Sequence, residues 1–124
     1  MAGMHDLTWW RATLKHALRE AMRARDSTEV SLWRETLSAL DQAEAVDVEL
    51  APPADEGPIA GARRGLGAGE VARRSLGPGD VEQVLRRELA ERRGAADELA
   101  RLGKADDAAR LKGQAALLER LLER

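Results

Sequence analysis

The chain has 124 residues, of which 44% are hydrophobic and 34% charged, with a net charge of −2 and no cysteine. That length fits one domain able to bury a core, and the balance is too apolar for a disordered chain and too charged for a membrane protein. An inventory without cysteine excludes disulfide frameworks, thiolate zinc sites and cysteine nucleophiles.

In chain order, Met1 to Trp10 carries neither the basic flank nor the hydrophobic stretch of a signal peptide. No apolar run approaches the ~18 residues of a bilayer span, so a cytoplasmic protein without membrane contact is expected. Leu7, Trp10, Leu14, Ala17, Leu18 and Ala21 return at helical spacing and predict a first helix over about 7–25. Through Arg25 the chain holds five basic residues, Arg11, Lys15, Arg19, Arg23 and Arg25, against Asp6 and Glu20. Asp26, Ser27 and Thr28 then interrupt the pattern with side-chain oxygens suited to helix capping, which reads as a tight turn.

A second helix is predicted over about 28–48. Val30, Trp33, Leu37 and Leu40 form one stripe, while Leu32, Thr36, Ala39, Ala43 and Val46 form another beside it, so this helix should touch more than one neighbour. From Asp26 to Gly57 nine acids stand against Arg34 alone. Complementary packing of the chain's own helices is the commoner cause of such asymmetry, and a basic face for phosphates the rarer one.

Pro52, Pro53, Gly57 and Pro58 end the periodicity, leaving a Pro/Gly/Arg-rich loop over about 49–79 that is long enough to point to function or disorder. Within it Ala62-Arg63-Arg64-Gly65-Leu66-Gly67 is echoed by Ala72-Arg73-Arg74-Ser75-Leu76-Gly77, a repeat far too short for a solenoid.

The third helix, about 80–102, is expected to open with Asp80 as N-cap and Gln83 completing a capping box. Its apolar line is Val81, Leu85, Leu89, Ala96, Leu99 and Leu102 with Arg92 in the middle, and Gly103 is placed to end it. The fourth, about 106–123, carries a seam of Ala108, Leu111, Ala115, Leu118 and Leu122 flanked by Leu117 and Leu121. An all-α fold follows, with residues 1–124 as a single helical domain of two antiparallel hairpins joined by the long loop.

Candidate chemistry is sparse. His5 and His16 would lie about 16 Å apart along one helix, too far to share a metal, and surface placement is the plainer reading. Gly65-Leu66-Gly67-Ala68-Gly69 has no preceding strand, as a phosphate-cradling loop requires. No G-x-S-x-G turn surrounds Ser27, Ser31, Ser38 or Ser75. No catalytic residue, metal or small-molecule cofactor is expected. The arginines of the loop and third helix, Arg63, Arg64, Arg73, Arg74, Arg86, Arg87, Arg92 and Arg93, are the candidates for a nucleic-acid or partner surface. Glu82, Glu88 and Glu91 dilute their field, and Trp9, Trp10 and Trp33 read as packing residues rather than base-stacking platforms.

Leu14-Lys15 to Arg25-Asp26, followed by Val30-Ser31-Leu32-Trp33-Arg34 to Ala43-Glu44, resembles the opening hairpin of the GatB/YqeY family of small helical proteins. Gly67-Ala68-Gly69-Glu70-Val71 resembles that family's linker. Its second hairpin is matched by Leu85-Arg86-Arg87-Glu88-Leu89, Glu91-Arg92-Arg93, Gly103-Lys104-Ala105-Asp106 and Ala109-Arg110-Leu111. Gln114 departs from the family pattern, where a glutamate is more usual. The resemblance implies the helical half of such a protein, without the smaller helical domain also found at the tail of tRNA-dependent amidotransferases.

Its implied setting is transfer-RNA-linked amide formation, with tRNA or a translation-related ligase as partner. The first expectation is therefore a non-catalytic binding module. Alternatives are an accessory component with glutamine-dependent carbon–nitrogen ligase activity, implied by the resemblance only, and a protein–protein adaptor or self-associating protein using the leucine seam and the face around Trp33.

Overall fold

The computed structural model of the protein describes residues 4–49 and 75–124. Over them the chain is all-α, with four helices and no strand: α1 (Leu7–Ala24), α2 (Ser27–Glu49), α3 (Pro78–Arg101) and α4 (Ala105–Leu122). α1 packs along α2 and α3 along α4, while α2 also touches both helices of the second pair, as its two apolar stripes require. None of these helices is long and apolar enough to cross a membrane. Residues 50–74 of the expected loop, with the first arm of its repeat, lie outside the described residues.

Two local devices make the first turn tight. Arg25 takes the left-handed conformation at φ 56°, so that its N–H reaches the Met22 carbonyl at 3.1 Å and the Asp26 N–H reaches that of Ala21 at 3.0 Å. This pattern closes a helix C-terminus and is normally built with glycine. Asp26 then caps α2: its Oδ1 accepts the Glu29 N–H at 3.1 Å and its carbonyl accepts that of Val30 at 2.9 Å. One residue thus closes α1 and opens α2. Arg25→Gly removes the side-chain penalty of the left-handed region and is expected to stabilise the protein by about 0.5–1 kcal/mol, read as a raised urea midpoint at unchanged slope.

α3 begins earlier than its polar residues suggest. Gly77 is the N-cap and Pro78 the first helical residue, where a fixed φ and a missing N–H carry no penalty. Asp80 stands in the third position, and its Oδ2 accepts the Gly77 N–H at 2.9 Å. The expected Asp80 N-cap with Gln83 as its partner is therefore corrected to a carboxylate reaching back from inside the first turn, on the side of the macrodipole that favours it. At the other end Gly103 has φ +79°, with its N–H on the Ala100 carbonyl at 3.1 Å and that of Lys104 on Leu99 at 2.9 Å, as the sequence reading required.

All four helices contribute to one hydrophobic core: Trp10 and Leu14 from α1, Leu32, Trp33 and Leu40 from α2, Val81, Leu85 and Leu89 from α3, and Leu118, Leu121 and Leu122 from α4. Leu14, Leu32, Leu40, Leu85 and Leu118 are fully buried. Leu76, just before α3, joins them. Ala96 and Ala108 are buried outside this cluster, where small side chains let α3 and α4 approach near their shared turn.

Candidate functional site

The charged residues fall into two groups, those that join helices and those that face water. Arg92 belongs to the first. It sits on the core side of α3, 6% exposed. From there its Nη2 donates to Glu35 of α2 at 2.6 Å, its Nη1 to Glu88 at 2.9 Å, and its Nε to Gln114 Oε1 of α4 at 3.3 Å. Gln114, itself 4% exposed, passes the connection on through Nε2 to the Thr28 carbonyl at 2.8 Å. A guanidinium fork suits this duty because its donors lie in one plane and point to several acceptors at once.

Arg92 was a candidate for a binding surface. The structure places it inside the helix interface instead, because its core-facing register puts carboxylates and an amide within its reach.

The remaining candidates on α3 are exposed but differ in their surroundings. Arg86 pairs with Glu82 one turn earlier at 2.8 Å, and Arg93 reaches across to Glu119 of α4 at 2.8 Å. Arg87 stands in the wall of a groove of about 450 Å³ between α2 and α3, together with Asp80, Glu88 and Glu91. The α3 face is thus largely self-neutralised. Arg63, Arg64, Arg73 and Arg74 lie outside the described residues.

The cations of α1 were visible in the sequence as a charge excess but not as a site. Arg11, Lys15, Arg19 and Arg23 recur every four residues, which sets them along one flank of the helix. Arg11 is tied to α2 through Asp41 at 2.7 Å and Glu44 at 2.5 Å, and Arg23 to Glu20 at 2.8 Å. Lys15 and Arg19, both exposed, make no ion pair with a carboxylate of the described residues. With Thr8, Arg11 and Ala12 they line an open trough of about 460 Å³ whose walls carry no carboxylate among the described residues.

The histidines have separate environments. His16 is exposed in a groove with Glu20, Glu29, Trp33 and Arg120. His5 stacks on Trp9 with ring centroids 3.5 Å apart, and its Nε2 lies 3.2 Å from the Arg124 carbonyl oxygen. Among the described residues no three histidine, aspartate or glutamate side chains gather as metal ligands would. The leucine seam of α4 and the Trp33 face are covered by the chain's own helices, with Leu118 fully buried and Trp33 3% exposed.

The chain matches no family model, no curated protein and no solved structure.

Proposed function

We propose that the chain is a non-catalytic helical binding module of the GatB/YqeY type whose partner is tRNA. The observation that carries this reading is a set of exposed cations on the first hairpin that no carboxylate of the described residues pairs with. Lys15 and Arg19 of α1 and Arg34 of α2 face solvent without an ion pair among the described residues. Several carboxylates, by contrast, have structural duties: Asp26 and Asp80 at helix starts, Glu44 on Arg11, Glu88 on Arg92. A protein of net charge −2 that still leaves these cations of its first hairpin unneutralised at the surface offers a polyanion a place to bind.

Binding of bulk tRNA, followed by fluorescence anisotropy at low salt, is expected to give a complex whose log K falls linearly with log salt as condensed counterions are released. The same preparation is expected to liberate no ammonia from glutamine above a protein-free control. No complex at low ionic strength would remove the RNA reading, and ammonia release would show a glutamine-hydrolysing activity that a non-catalytic module lacks.

A further inference from the structure

We infer that the RNA is held on the solvent-facing side of the first hairpin, by Lys15 and Arg19 of α1 together with Arg34 of α2, and that the ligand feature recognised there is the phosphate backbone of a double helix. This inference rests on the binding-module reading and gives it a location.

The geometry comes from the helix register. The Arg11–Asp41 pair fixes how the antiparallel α1 and α2 align. Lys15 and Arg19 stand about 6 Å and 12 Å along α1 from that pair. Arg34 stands about 10 Å along α2, and, being two turns before Asp41, on the same side of its helix. Three exposed cations thus fall within about 6 Å of one another along the hairpin axis.

Three acids of the hairpin are already engaged. Asp41 is bonded to Arg11, Glu20 to Arg23, and Glu35 turns away to Arg92. The trough beside Lys15 and Arg19, lined also by Thr8 and Ala12, has no carboxylate in its walls among the described residues, whereas the groove at Arg87 has three. A phosphate row therefore meets attraction on α1 and mixed charge on α3.

The preference for a duplex follows from the aromatic residues. Unpaired bases are held by stacking on exposed rings. The chain has neither phenylalanine nor tyrosine, Trp10 and Trp33 are 4% and 3% exposed, and the Trp9 ring is covered by His5. Cations on rigid helices, without a stacking surface beside them, fit a backbone whose bases are already paired.

The test is anisotropy with a short RNA hairpin duplex and an unstructured single strand of equal length, across a salt series, using the full chain. K15E/R19E is expected to weaken duplex binding at least about tenfold and to lower the slope of log K against log salt by about 2, one unit per lost phosphate contact. The uncharged K15Q/R19Q should fall between it and the parent, and R86E/R87E should bind like the parent. Circular dichroism confirms that each variant folds.

Parent-like binding by K15E/R19E, with a loss confined to R86E/R87E, would overturn the placement on α1 while leaving an RNA-binding module. Single strands bound as tightly as the duplex would overturn the duplex preference. Absence of any binding by the parent chain would bring down the underlying reading as well.

Discussion

Arg92→Ala is expected to lower the unfolding free energy by about 3 kcal/mol, the low end of the range for breaking a buried charge pair by deleting one partner. Without the guanidinium, Gln114 Oε1 loses its donor in an almost fully buried side chain, and Glu88, 16% exposed, keeps its charge without a partner. Glu35 is 61% exposed and regains water easily, which keeps the cost from rising further. Arg92→Lys should recover little, because one ammonium cannot serve acceptors on α2, α3 and α4 together. Arg92→Met combined with Gln114→Leu should recover part of the loss, since the buried amide is removed with the guanidinium, while Glu88 and the Thr28 carbonyl still lack their donors. Urea denaturation of the four proteins measures this series, and a loss below about 1 kcal/mol in Arg92→Ala would show that the network contributes little.

Trp33→Ala carries the other large effect, about 4 kcal/mol, as expected for deleting a large aromatic side chain from a packed core. The indole is 3% exposed and stands where α2 meets both α1 and α4, beside Ala17, Leu117 and Leu121. Its Nε1 donates to Glu29 Oε1 at 3.1 Å, so polar and apolar contacts are lost together. Trp33→Phe keeps most of the volume and forfeits that hydrogen bond, and about 1–2 kcal/mol is expected. Thermal unfolding followed at 222 nm separates the two, and equal losses in both variants would contradict the packing account.

The helices were legible because their stripes are local: Leu14 and Leu118 fall on periodic positions, and both are fully buried. Gly103 was legible for the same reason, since a single residue type satisfies its positive φ. The opening of α3 is set by the fixed φ of Pro78 and not by Asp80 as N-cap, because a proline at the first helical position starts a helix without a side-chain oxygen before it.

Arg92 stood out in the sequence as a charge within an apolar line, but its partners did not. Glu35 lies 57 residues earlier and Gln114 22 residues later, and no local pattern encodes such distances. Likewise the cations of α1 were countable, but which of them α2 would neutralise depended on a helix register that only the packing of Trp10, Leu14 and Leu40 sets.

The division of labour between Asp26 and Arg92 bears on the order of assembly. A linkage made by neighbouring residues closes with little loss of chain entropy, so each helical pair can form by itself and early. The Glu35–Arg92 and Thr28–Gln114 links span 57 and 86 positions and can close only after both pairs have met. They therefore behave as a latch fastened last, one that slows escape from the native state more than it hastens arrival.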